Sequence, residues 1–422
     1  MNPNLYSELT SMRVKTPYIK ALEMQREQKE SSDTAKTEDA GSKVEHQPLQ
    51  PRRMSDSYLK LVIPFAEDPW LLDNYLNATG HIRNDLDALA GAIAYKHAGN
   101  DEGTIVTAAV DRITIKYPLK QISNLELSGQ VTFASGGSSM EITLQVARAP
   151  QDDQEVKQED VVMNCVFTMV SLDPKTKKPV PTNPLEVVTD AERRIYEHGK
   201  KNYLARKAMV KNSLDKIAPN EEEFNLIHKM WLEHDLRPGR NTHQNWIPMA
   251  KAVIKSTQIM QPQYRNRHNF MIFGGFLMRH TYELAFCCIA AACHTRPTFI
   301  SLDPSTFENP VPVGSVLYLK AGMAYSEPIA TKQGEEPTHT RVQVRVSTFV
   351  RDVAHEEYKS TGQFNYTFLV DKVVSVIPRS YSEFMVWVDA KRRVQRVASI
   401  VEREMEPGVE KLDDGSEDRV TE

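Results

Sequence analysis

The chain has 422 residues, with 52 lysines and arginines against 56 acidic residues and a formal net charge of −4. That length accommodates two or three domains and a substantial core. Both signs of charge are interspersed, and no basic block points to a nucleic-acid partner.

Residues 1–53 are polar and carry few side chains to bury, so they read as a disordered or targeting segment. Within the first twenty-one residues Arg13, Lys15 and Lys20 stand against one acid, Glu8, as in a mitochondrial presequence; a disordered tail is the other reading. From Met54 order is expected. Tyr58-Leu59-Lys60-Leu61-Val62-Ile63 reads as a strand, and residues 85–98 as a buried helix. Runs rich in Val, Ile, Thr and Phe at 104–117, 125–133, 139–148 and 161–171 read as strands. These make a first domain over 54–185. Residues 186–248 are read as a helical linker, in which Asn220 caps a helix that opens with Glu221, Glu222 and Glu223. A second domain spans 249–378, with strands at about 251–260, 298–308, 315–325, 340–351 and 361–370 around a helix at 275–293. A helix over about 381–403 and an acidic tail complete residues 379–422.

The organising stretch is Arg267–His294. Gly274 and Gly275 open a run that is apolar at nearly every helical angle, so a buried helix is expected. Its longest uninterrupted apolar run, Leu284–Cys293, is about half the length a membrane span needs. Paired glycines let a backbone or a ligand approach the free N–H groups of the first turn, where a developing oxyanion is stabilised. A plain core helix with a tight glycine entry is the alternative.

The two domains share one order: strand, buried helix, four strands. Asp111 and Asp303 each stand seven residues before a proline, Pro118 and Pro310. Asn164-Cys165-Val166-Phe167-Thr168 faces Phe364-Asn365-Tyr366-Thr367-Phe368 in the last strand, and Asp87-Ala88-Leu89-Ala90 aligns with Tyr282-Glu283-Leu284-Ala285. The fold class is therefore α+β, a helix wrapped by an antiparallel sheet twice in tandem: a double hot dog. Joining the two sheets edge to edge removes an exposed edge from each. Ile82-Arg83 matches Ile272-Phe273 at an offset of 190, whereas Asp87 matches Tyr282 at 195. Five residues are thus expected to be missing at the start of the first central helix.

Met54-Ser55-Asp56-Ser57-Tyr58, Asp85-Leu86-Asp87-Ala88-Leu89-Ala90-Gly91, Asn183-Pro184-Leu185 and above all Ile272-Phe273-Gly274-Gly275-Phe276-Leu277-Met278-Arg279 resemble the mitochondrial acyl-coenzyme A thioesterase 9 type. The resemblance covers about residues 54–400. It implies cleavage of acyl-CoA to free fatty acid and CoA, with acyl-CoA as the substrate partner and a mitochondrial location. It also implies further association of chains, so a homo-oligomer is expected. In related tandem hot dog thioesterases, an Asn before the glycines of one domain cooperates with an acid on the other domain's helix. Asn269, five residues before Gly274, fits the first role, with Thr79 as its counterpart in the first domain. The acid position is Asp87 in the first domain and Tyr282 in the second.

The candidate catalytic residues are therefore Asn269, Asp87 and Gly275, with Glu283 the second choice for the base and Asp85 a further acid. Gly274, Arg265, Arg267 and Arg296 are candidates for substrate binding. Each has a structural alternative: Asn269 a turn residue, Asp85 and Asp87 helix-opening acids, Glu283 an ion pair, the arginines a solvated surface. His268, His280 and His294 read as structural, and Cys287, Cys288 and Cys293 as small core residues. With Cys165 these are all the cysteines; three share one helix, which fits a reducing compartment. No Cys/His pair has zinc spacing, and there is no Walker loop, dinucleotide fingerprint or G-x-S-x-G elbow, so no metal or cofactor is expected. Two rival functions remain: hydratase or dehydratase chemistry, which usually wants an acid–histidine pair that is not found near the helix start, and non-catalytic acyl-CoA binding.

Overall fold

The computed structural model describes residues 49–67, 78–99, 104–111, 113–115, 123–150, 156–211, 217–235, 245–266, 271–330, 336–351 and 358–405. Most of the expected N-terminal segment, Arg267, His268, Asn269 and the acidic tail lie outside them. The first half runs β1 (Arg52–Arg53), a helical turn (Met54–Ser57), β2 (Leu59–Ile63), α1 (Ala78–Ala98), β3 (Thr104–Val110), β4 (Ile113–Ile115), β5 (Leu125–Ala134), β6 (Ser139–Arg148), β7 (Val161–Leu172), β8 (Leu185–Glu186) and α2 (Asp190–Lys211). After α3 (Glu221–Asp235) the order recurs. It runs β9 (Trp246–Pro248), a short turn (Met249–Lys251), β10 (Val253–Ile259), α4 (Gly274–Cys293), β11 (Thr298–Leu302), β12 (Ser305–Thr306), β13 (Val316–Ile329), β14 (His339–Arg351), β15 (Tyr358–Val370), β16 (Ser375–Ile377) and α5 (Tyr381–Met405).

Strands of both halves form one 12-stranded sheet in the order β10-β13-β14-β15-β11-β4-β7-β6-β5-β2, with β3 and β12 beside the centre. β14 shows why it curves around a helix. Thr340, Val342, Val344, Val346, Thr348 and Val350 are buried on one face, while Arg341, Arg345 and Ser347 alternate on the other. α1 packs on β3, β5, β6 and β7, α4 packs on β10, β13, β14 and β15, and the two helices pack on each other. Each half is a hot dog domain, and the chain is a tandem pair.

The halves meet on a pseudo-two-fold axis that the register states residue by residue. Leu302 pairs with Ile113 and Ser305 with Val110. Leu302 stands 192 residues after Val110, and Ser305 192 residues after Ile113, so each pair is the other's image. Asp111 and Asp303 occupy equivalent breaks, their N–H groups donating to Val166 O and Asn365 O. That fixes the last strands too: Ala109 faces Thr168 and Ser301 faces Thr367. Thr168 is thus the image of Thr367, and Phe167 of Tyr366. The expected pairing of Asn164 with Phe364 is one residue out of register, a slip that would exchange the faces of the strand.

Two further expectations change. The first central helix is not shortened. Fourteen residues separate Ile63 from Ala78 and fourteen separate Ile259 from Gly274; α1 has 21 residues and α4 has 20. Ile82 and Arg83 lie inside α1, whereas Ile272 and Phe273 precede α4, so the 190-residue offset pairs unlike places. Thr79 accordingly belongs to the first turn of α1 and is not the counterpart of Asn269. The repeat also runs past both sheets: α2 and α5 carry the same capping box. Thr189 and Glu192 exchange side-chain-to-backbone bonds, as do Ser380 and Glu383, and Val188 N–H and Arg379 N–H add a bond to the glutamate in each. The linker helix α2 and the C-terminal helix α5 are therefore one repeated element, each set on the outer face of its own half-sheet.

Candidate active site

Asp87 lies on α1 and is fully buried. Thr107 Oγ1 donates to its Oδ1 at 2.7 Å, and the Gly275 N–H of the other half donates to its Oδ2 at 2.6 Å. Burial pushes the carboxyl up from 3.8 to about 6, against the two hydrogen bonds, which pull it down. The close approach needs a bare Gly274: a Cβ there would stand 3.0 Å from Asp87 Oδ2 and 3.4 Å from Thr107 Cβ. Phe273, the N-cap of α4, gives no side-chain cap, so the first-turn N–H groups keep their donors for a partner outside the helix. Thr107 is aimed inward by a break in register between Thr107 and Ala109 on β3.

These groups face a cavity of about 650 Å³ between the halves. Its wall takes Ala88, Gly91, Tyr95, Ile105, Met169 and Leu172 from the first half, and Asn266, Met271, Phe273, Leu277, Phe307 and Val311 from the second. Lys177, on the turn after β7, and Asn309 also line it. Asn266 Oδ1 is buried with no hydrogen-bond partner among the described residues.

The image of this site across the pseudo-two-fold axis is filled. Tyr282 stands 195 residues after Asp87, Phe286 195 after Gly91, Phe299 192 after Thr107 and Phe368 199 after Met169. Their rings form one cluster, with Tyr282 5.7 Å from Phe299, 5.8 Å from Phe368 and 6.4 Å from Phe286 between centroids.

No family model matches the chain. Mitochondrial acyl-coenzyme A thioesterase 9 of Mus musculus is 33% identical over 371 residues, covering 84% of this chain and 80% of that protein. The Homo sapiens protein of the same name is 33% identical over 362 residues, covering 82% and 78%. The chain belongs to the acyl-coenzyme A thioesterase 9 family. Chloroplastic acyl-coenzyme A thioesterase 2 of Humulus lupulus is 28% identical over 376 residues, covering 85% of this chain and 80% of that protein. Among solved structures, an acyl-CoA hydrolase from Staphylococcus aureus in complex with butyryl coenzyme A, coenzyme A and coenzyme A disulfide aligns at a TM-score of 0.33 and 22% identity. It covers 38% of this chain and 94% of its own. An oleoyl thioesterase (putative) from Lactobacillus plantarum aligns at 0.35 and 11%, covering 74% and 95%.

In this member of the thioesterase 9 family, Asp87, Gly274 and Gly275 come together at one cavity. Asn269 and Arg267 belong to the segment between Asn266 and Met271 and lie outside the described residues. Gly275 N–H, expected to face a thioester oxygen, donates to Asp87. Glu283 points elsewhere: it is paired with Arg279 at 2.8 Å on the outward strip of α4. That strip, with Arg279, Glu283 and Cys287, keeps α4 from being buried all round, and Cys287 is exposed rather than core. Asp85, two residues before Asp87, is on another face of α1 and does not line the cavity. Arg265 is bound to Pro262 O at 2.8 Å. Arg296 follows the far end of α4, about 30 Å of helix from Gly274. His280 packs its ring on Phe276 at 4.1 Å and bonds to Gln258. Cys288 and Cys293 are core thiols pushed by burial up to about 12 and about 11. Sequence reasoning missed Thr107 and Asn266. The signal for Thr107 was its repeat partner, Phe299: a small polar residue on one side of the axis and an aromatic ring on the other.

Proposed function

We propose that the protein hydrolyses fatty acyl-CoA to free fatty acid and CoA at the composite site between its two halves. The observation that carries this reading is the contact of Asp87, from one half, with the Gly275 N–H of the other, at the wall of the cavity. A buried carboxyl with a pKa of about 6 is ionised at neutral pH and basic enough to take a proton from water. Water attacks the thioester carbon while its proton passes to Asp87. As the charge leaves the carboxylate for the thioester oxygen, the Gly275 N–H follows it and donates to the oxyanion, with the positive end of α4 behind it. The intermediate then expels the thiolate. The electron pair of the C–S bond stays on sulfur, which takes the proton back from Asp87. Thr107 holds the carboxyl in place. Asn269, in the segment entering α4, is assigned to the carbonyl and the attacking water.

The substrate class follows from the relatives' names and the resemblance in Ile272–Arg279. Thiol release from acyl-CoA, followed with a thiol-reactive dye on purified wild type and Asp87→Asn, tests it. Release by wild type and its loss in the variant support the reading. Binding without release by wild type would leave an acyl-CoA binder instead. We also assign the protein to mitochondria, as in its mouse and human relatives; a tagged chain imaged in cells checks this. Association of copies is assigned to the outer strands β2 and β10, where Leu61, Val62 and Ile259 are exposed. Mass by light scattering checks that. No described helix is long and apolar enough to cross a membrane.

A further inference from the structure

Gly91 stands in the interior of α1, where glycine costs about 0.5–1 kcal/mol relative to alanine. Neither packing nor backbone calls for it. A Cβ at Gly91 would meet no atom of the described residues within 4 Å, and its φ is not in the positive region. What its bare backbone does is leave the cavity open one helical turn beyond Asp87. The other half shows the alternative in the same fold. There the image position is Phe286, whose ring joins Tyr282 and Phe368 and fills the space.

We propose that the part of the cavity beside α1 holds the acyl chain, and that Gly91 sets the chain length accepted; this rests on the thioesterase reading. The wall here is Ala88, Gly91, Ala92, Ile105, Val106 and Leu172, which offers methyl and methylene groups and suits a hydrocarbon. Tyr95 lies one turn further, its hydroxyl bonded to Ile105 N and O, and ties the helix to β3 at that depth. From Asp87 to Tyr95 the helix rises about 12 Å, room for a medium-length chain. The competing occupant is the pantetheine arm directed at Lys177. Its two amides require hydrogen-bond partners; Asn266 Oδ1, without a partner among the described residues, and the Asn309 side chain are on the wall built by the second half.

The test compares wild type, Gly91→Ala and Gly91→Phe on saturated acyl-CoA esters from acetyl to palmitoyl, by thiol release and by equilibrium binding of the same esters and of free CoA. Phenylalanine at the image position shows that the fold accommodates the ring. Gly91→Phe is expected to steepen the length profile, losing roughly fourfold in kcat/KM relative to acetyl-CoA for each methylene excluded on longer esters. Gly91→Ala is expected to move the optimum to shorter chains by less. An equal loss at every length, or weaker binding of free CoA, would assign the groove to pantetheine and overturn the proposal. An unchanged length profile would overturn it too. Absence of thiol release from wild type with every ester would defeat the hydrolase reading, while the binding series still judges the groove.

Discussion

Asp87 is held at about 6 by burial, and that has opposite consequences for stability and activity. The folded-state pKa is raised above the ordinary 3.8, so folding favours the protonated form. Stability from this group is full below about 4 and declines as pH rises through about 6. A shift of about two units corresponds to roughly 3 kcal/mol at neutral pH. Asp87→Asn keeps the shape and an acceptor for Gly275 N–H while removing the charge. It is expected to raise Tm at pH 8 and to leave it nearly unchanged at pH 4, as scanning calorimetry at both values would read. The same variant should lose at least about 100-fold in kcat. In wild type kcat/KM should fall as pH drops through about 6, and that limb should vanish in the variant. Glu283→Gln, by contrast, breaks a half-exposed pair and should cost under about 1 kcal/mol with activity intact. Asp87 was legible because the repeat sets an acid against a tyrosine, and the two glycines because they open an apolar run. Thr107 was missed: its mark was the ring of Phe299 at the same repeat offset, while the register break that aims its side chain is invisible in a run of β-formers.

At the scale of elements, the C-terminal helices show how the repeat has diverged under a common frame. Arg393 of α5 reaches Asp303 at 3.6 Å, donates to Gln343 Oε1 at 3.1 Å and shares Asp389 with Arg345. Its counterpart on α2 is Asn202, which reaches Glu141, the image of Gln343, at 3.4 Å. Arg393→Ala leaves Asp303, only 4% exposed, without this cation and should cost roughly 3–5 kcal/mol. Asn202→Ala removes one long hydrogen bond and should cost about 1 kcal/mol. Urea midpoints of the two variants against wild type would rank them. The capping boxes were present in the sequence as Thr189…Glu192 and Ser380…Glu383, yet one helix read as part of a linker and the other as a C-terminal helix outside the second domain. Polarity gives helix ends but not what the helix lies on; the outer faces of β5 and β13 become visible as platforms once the half-sheets are closed.

At the scale of the whole molecule, the tandem pair was legible from the spacing of Asp111 and Asp303 to proline, since both breaks lie at the seam where the sheets join. Tyr282 in the place of Asp87 already pointed to a second site without its acid; what the sequence hid was that this site is filled, because Phe286, Phe299 and Phe368 lie on three elements and read singly as core residues. Together with Tyr282 they occupy the image of the cavity beside Asp87, so the pseudo-two-fold axis relates one open site to one packed with rings. Placing an aromatic side chain in the core stabilises the fold by several kcal/mol, and a ligand entering there would have to displace four of them. Binding of an acyl-CoA analogue with a non-cleavable thioether should therefore saturate at one molecule per chain by titration calorimetry. Asp87→Asn should retain that single site, since the variant keeps the cavity. Two molecules per chain would mean that the ring cluster opens on binding, and the asymmetry between the halves would then lie in the chemistry of Asp87 and Tyr282 rather than in access.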